Sequence, residues 1–135
     1  ATSVGLRLEF YHNSLKLLKT HPWKGTGTGS FAQDYLALTQ DKQFATKNPH
    51  NEYLNIAVQF GLLGVLILLG MFIVHAWTSF RLQGLRQYFA QAVLVSIAVG
   101  SLFNSWLMDV TQGCFYVIFT ALLFAGLSLK SEKST

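Results

Sequence analysis

The residues of this chain best suited to acid–base chemistry are His50 and its neighbour Asn51, in the run Asn48-Pro49-His50-Asn51-Glu52-Tyr53-Leu54. Asn48 is a good N-cap and Pro49 suits a first helical position, which predicts His50 in the first turn of a helix. Free backbone N–H groups at such an end favour an anion such as phosphate. The same positive end favours the neutral imidazole that a general base requires. A plain capping turn with an interfacial histidine accounts for this local pattern equally well. Arg7 is a second candidate. Its guanidinium can grip a phosphate with two parallel hydrogen bonds, which Lys cannot do. Taken alone, Arg7 is more simply a solvated or snorkelling helix charge.

Other residues offer less. Gly25-Thr26-Gly27-Thr28-Gly29-Ser30 lacks the Gly-Lys-Ser/Thr ending of a P-loop and follows no clear strand. A mobile turn is the main expectation, with a backbone cradle for an anion as the alternative. His12, His21 and His50 have no common zinc spacing, so no metal and no cofactor are expected. His75 reads as a packed or interfacial histidine, and Asp109 as an acid at a membrane boundary with a possible supporting role. Cys114 is the single cysteine, which excludes an intrachain disulfide. The net charge is +4, without a basic cluster interleaved with aromatics, so no nucleic-acid partner is expected.

These candidates must be positioned by a chain that is 51% hydrophobic and 12% charged, about half the charge of an ordinary soluble domain. Residues 1–55 hold most of the charge, and between 56 and 129 only Arg81, Arg86 and Asp109 are charged. Three apolar stretches, about 56–80, 90–108 and 110–129, predict transmembrane helices. The fold class expected is therefore all-α and integral to a membrane, as part of a larger polytopic protein. A polar segment, 1–55, precedes the spans, and a short tail, 130–135, follows them. The short connection with Arg81 and Arg86 and the tail would be cytoplasmic, which places 1–55 and 109–113 on the outer face. Within 1–55, Leu6–Lys19 predicts an amphipathic helix with Leu8, Tyr11, Leu15 and Leu18 on one face, ended by His21-Pro22. Phe31–Leu38 predicts a short helix, and Gln40–Lys47 a polar loop. Down the first span, Leu54, Ala57, Gly61 and Gly64 continue the face of His50, and such small residues let another helix approach closely.

His50-Asn51, followed after nine residues by Gly61 and after two more by Gly64, resembles the signature of the O-antigen ligase and polymerase superfamily. Arg7-Leu8-Glu9-Phe10, the turn Gly27-Thr28-Gly29-Ser30-Phe31, and Ser101-Leu102-Phe103-Asn104-Ser105 with Asp109 are similar to that family as well. The resemblance implies a bacterial inner-membrane glycosyltransferase of lipopolysaccharide or related polysaccharide biosynthesis. Its donor would be an undecaprenyl-diphosphate-linked glycan, and its acceptor a hydroxyl of lipid A-core, a glycan or a protein. It also implies metal-independent chemistry at the outer face, with His50 as the base, Arg7 on the diphosphate, and Asn51 and Asp109 in support. The segment of 42 residues between Arg7 and His50 is short for the family. The alternatives are a non-catalytic membrane assembly or anchor module, and part of a transporter or flippase.

Overall fold

In a computed structural model, which describes residues 3–39 and 46–127, the described residues fold into five α-helices. They are α1 (Ser3–Thr20), α2 (Phe31–Thr39), α3 (Glu52–Ser79), α4 (Leu85–Gly100) and α5 (Val110–Phe124). Residues 40–45, most of the expected polar loop, lie outside the described residues, as do 128–135, which hold the end of the third stretch and the tail. Among the described residues one helix, α3, is long and apolar enough to cross a membrane, and α5 is a shorter apolar helix.

Helix α1 ends where the sequence predicts, at His21-Pro22, but it packs through a different face. Its buried residues are Asn13, Ser14 and Leu17, while Leu8 and Leu15 of the expected apolar face are exposed. Leu17 packs with Phe31 and Tyr35 of α2 and Val58 of α3, with Phe10 at the edge. Asn13 Nδ2 donates to the Tyr35 hydroxyl (3.1 Å), which supplies the buried phenol with a polar partner. Burial raises the Tyr35 pKa, with Asn13 lowering it and Glu9 raising it to smaller extents, so the group stays a neutral hydroxyl.

Helix α3 is not continuous. Gly61 has φ +67° and ψ −164°, which breaks it one third of the way along. An unbroken helix would pair Leu62 N–H with Val58 C=O and Leu63 N–H with Gln59 C=O. Here the glycine-rich turn takes over all four groups. Thr26 N–H donates to Val58 C=O (2.9 Å), Gly27 N–H to Gln59 C=O (2.9 Å), Leu62 N–H to Pro22 C=O (2.8 Å) and Leu63 N–H to Trp23 C=O (3.5 Å). Backbones this close leave no room for a Cβ. One on Gly61 would collide with the Trp23 backbone, and one on Gly25, also at φ +67°, with the Gln59 backbone. The sequence reading of Gly61 as a small residue on a straight packing face is therefore corrected. Gly61 is a hinge filled by residues 22–27. The space beside Gly64 is taken by Phe60 and Ile56 of the same helix, brought over it by the break, rather than by a neighbouring helix. After the break, residues 62–79 form about 27 Å of helix at 1.5 Å per residue.

The second apolar stretch also differs from expectation. Its helix runs Leu85–Gly100, and residues 101–109 turn back instead of continuing to 108. The physical reason is that their polar groups pair with the His50 region. Helices α3, α4 and α5 pack around Leu68, Phe72, Val93, Ile97 and Tyr116. Near the other end of this bundle, buried His75 links three helices. Its Nε2 lies 3.0 Å from Ala90 C=O and its Nδ1 3.0 Å from the Tyr116 hydroxyl. A carbonyl only accepts, so Nε2 carries the proton and Nδ1 receives the Tyr116 hydrogen. Arg86 caps the end of α5 through Nη2, to Leu123 C=O (2.6 Å) and Ala125 C=O (2.8 Å).

The hinge gives a direct test by thermal unfolding of the purified protein. Gly61→Ala loses at least about 1–3 kcal/mol, because an L residue is strained at this φ and its methyl meets backbone. Gly70→Ala is the control, since a Cβ there meets nothing within 4 Å, and it keeps or raises stability, by up to about 1 kcal/mol. Equal stability of the two variants contradicts the hinge.

Candidate functional site

His50 stands one residue outside helix α3. The cap is Asn51, whose Oδ1 accepts from Leu54 N–H (3.0 Å), so the expectation of Asn48 as cap and Pro49 as first helical residue is corrected. The correction has a local cause. Asn48 Oδ1 accepts from His50 N–H (2.7 Å), an Asx turn that leaves Asn48 three residues too early to cap the helix. His50 adopts φ +56°, in the left-handed region that non-glycine residues seldom enter, although histidine is among the few that do so more readily. Two of the helix-end N–H groups expected to be free for an anion are engaged. Glu52 N–H donates to Ser101 C=O (2.8 Å) and Leu54 N–H to the Asn51 cap.

Two other parts of the chain close on this turn. From α1, the Phe10 ring stacks on the His50 imidazole, with centroids 6.1 Å apart and an interplanar angle of 28°. The Tyr11 hydroxyl lies 3.2 Å from His50 C=O and 3.0 Å from Leu102 C=O. Arg7 is exposed and lies three and four residues before Phe10 and Tyr11, on the same face of α1 and one turn away. The structure thus brings the sequence-predicted Arg7 to the helix face that meets the sequence-predicted His50.

The other part is the segment 101–108, which is fastened to the turn along its length. Asn51 Nδ2 donates to Leu102 C=O (3.0 Å), and Ser105 Oγ donates to Asn48 Oδ1 (2.7 Å). His50 Nδ1 lies 3.3 Å from Asn104 Oδ1. The buried Glu52 carboxylate accepts through Oε2 from Leu107 N–H (3.1 Å) and Met108 N–H (3.4 Å). Its other oxygen, Oε1, is buried without a hydrogen-bond partner among the described residues. Below it, Gln59 Nε2 donates to Asn55 Oδ1 (2.8 Å), and Gln59 Oε1 accepts from Gly29 N–H (2.6 Å).

With Asn104 Oδ1 facing the ring, the imidazole proton belongs on Nδ1, and Nε2 keeps its lone pair. Nε2 has no hydrogen-bond partner among the described residues, and the side chain is half-buried. Such a ring can take a proton from a group brought to Nε2. Asp109 is not gathered into this cluster as a functional group. It is exposed and caps α5, accepting from Thr111 N–H (3.0 Å). The glycine turn, weighed as an anion cradle, has Thr26, Gly27 and Gly29 N–H all engaged with α3. Among the described residues no three His, Cys, Asp or Glu side chains assemble as a metal site. Phe10, Tyr11, Glu52, Asn104 and Ser105 were not singled out from the sequence as parts of this site. The available signals are the family-like runs that hold Phe10, Asn104 and Ser105, and the polar Asn104 within an apolar stretch.

Residues 1–69, just over half of the chain, match the family described as O-antigen ligase. No curated protein matches the chain. The matched part contains α1, the glycine turn, the His50 turn and the hinge in α3, and it ends before the 101–108 segment.

The Glu52 contact predicts an asymmetry between two substitutions. Glu52→Ala leaves the Leu107 and Met108 N–H groups unpaired and costs about 1–3 kcal/mol in thermal unfolding. Glu52→Gln keeps an acceptor oxygen there and loses less than half as much. Equal losses contradict a fastening role for the carboxylate.

Proposed function

The chain belongs to the O-antigen ligase family, and on that premise we propose that it forms the catalytic outer-face part of a membrane glycan transferase. The enzyme moves a glycan from undecaprenyl diphosphate to an acceptor hydroxyl in the building of cell-surface polysaccharide, at the bacterial inner membrane. Helices α3, α4 and α5 are read as three spans. The His50 turn, α1, α2 and the segment 101–108 lie together at the outer face, and the connection with Arg81 and Arg86 lies at the inner one. In support, the His50 turn and residues 101–108 pair with each other at one end of the bundle, while Arg86 and the end of α5 meet at the other. Large apolar side chains such as Ile67, Ile73, Trp77, Val117 and Leu122 point outward, as lipid or further helices require.

The observation that carries the reading is the environment of His50. Its Nδ1 is engaged by Asn104, its Nε2 is free among the described residues, and Arg7 shares the face of α1 that packs on it. In the proposed reaction, Nε2 takes the proton of the acceptor hydroxyl. The acceptor oxygen forms a bond to the anomeric carbon of the glycan as the bond from that carbon to the diphosphate oxygen breaks. The leaving undecaprenyl diphosphate keeps the electron pair, and Arg7 stabilises the charge that grows on it. The proton on His50 is then released to water, which restores the base. An exposed Arg7 at the rim is well placed for a charged headgroup, since Glu52 N–H and Leu54 N–H at the helix end beside His50 are already engaged.

Release of undecaprenyl diphosphate from the donor glycolipid, measured in membranes that also contain the acceptor, tests this reading. His50→Ala lowers release at least about 100-fold at unchanged protein abundance, the scale of a lost general base. Arg7→Lys lowers it at least about tenfold, because a point charge does not replace a bidentate grip. Wild-type turnover in His50→Ala overturns the proposal.

A further inference from the structure

The 101–108 segment contributes Asn104, whose oxygen is directed at the histidine from a site 54 residues along the chain. Its place is held from both sides. On one side, Leu102 C=O receives both the Tyr11 hydroxyl and Asn51 Nδ2. On the other, Ser105 Oγ is bound to Asn48, the residue whose side chain also receives His50 N–H. Asn104 N–H itself donates to Gly100 C=O (3.1 Å) at the end of α4. Both the backbone that carries Asn104 and the backbone that carries His50 are therefore fixed by the same small set of hydrogen bonds.

Resting on the reading of His50 as the acceptor base, we propose that Asn104 is a positioning residue that selects the working tautomer of His50. A neutral imidazole has one N–H and one lone pair, and only the lone pair can take the acceptor proton. An acceptor oxygen at Nδ1 holds the hydrogen there and presents the lone pair at Nε2, away from the fastened segment. Without that acceptor the hydrogen can sit on Nε2, and the ring then offers its lone pair to the protein interior instead of the substrate. Phe10, stacked on the ring, limits its rotation but has no polar atom with which to distinguish the two tautomers. Asn104 touches neither donor nor acceptor in this scheme, and it acts through the histidine alone.

The experiment compares Asn104→Leu, Asn104→Asp and His50→Ala in the intact membrane protein, with undecaprenyl diphosphate release from the donor glycolipid as the readout. Asn104→Leu lowers kcat at least about tenfold with KM for the donor within about twofold, because orientation of the base is lost and donor binding is not. Asn104→Asp, whose carboxylate can only accept, keeps kcat within about threefold of wild type. A wild-type kcat in Asn104→Leu, or a loss in Asn104→Asp as large as in Asn104→Leu, overturns the assignment. Should Asn104→Leu fail to accumulate, Asn104→Asp decides alone: retained kcat supports the acceptor role and a tenfold loss contradicts it. His50→Ala separates the two levels. If His50→Ala is inactive and Asn104→Leu is fully active, only the tautomer assignment fails; if His50→Ala is fully active, the catalytic reading fails with it.

Discussion

Backbone polar groups exposed by a break in an apolar helix must find partners, and this requirement organises the molecule. Gly61 opens α3 and frees two carbonyls and two N–H groups. Residues 22–27 supply the complementary set, and the glycines at 25 and 61 allow the two backbones to touch. The pairing anchors the chain just after α1, so α1 is brought alongside the first part of α3. Phe10 and Tyr11 then meet the His50 turn, with Arg7 one turn away. The hinge is a break in secondary structure that builds tertiary structure.

A second fastening works from the other direction. The 101–108 segment could have extended α4, as its apolar composition suggests. It turns instead because Ser101, Leu102, Asn104, Ser105, Leu107 and Met108 all find polar partners on residues 11 and 48–52. Each of these contacts is modest by itself, about 1 kcal/mol net. Together they hold a histidine in a left-handed conformation that it would not favour alone, and they set which ring nitrogen faces outward. Glu52 matters here as a buried acceptor for a turn's N–H groups, with one oxygen still unpartnered among the described residues.

The sequence made part of this legible. The ends of α1 and α2 follow from a proline and from helical spacing, and both are local signals. His50-Asn51, Arg7 and the glycine turn were visible as candidates because their residue types carry specific chemistry. Gly61 was misread because the 3.6-residue period runs through it undisturbed, and nothing in the local pattern tells a packing glycine from a broken helix. The cap was misread for a related reason. Asn48-Pro49 and Asn51 are both plausible starts, and the choice is made by a hydrogen bond from His50 N–H to Asn48 and by the clamp from residues 101–108. The packing face of α1 was also hidden, since its buried side includes Asn13 and Ser14, whose polar groups are satisfied by Tyr35 and the Phe10 carbonyl. Asn104 shows in the sequence only as part of the family-like run 101–105 and as a polar residue in an apolar stretch, because its pairing depends on a partner 54 residues away.

The most direct measurement is the proximity of the 101–108 segment to the His50 turn in the intact protein. Asn48→Cys and Ser105→Cys, combined with Cys114→Ser, place two thiols where a hydroxyl and an amide oxygen now lie 2.7 Å apart. A short bifunctional thiol reagent should join them rapidly, and each single cysteine variant should remain uncrosslinked. If both thiols react singly with a monofunctional label yet never join, the segment does not lie on the turn, and the structural basis of the His50 site is contradicted.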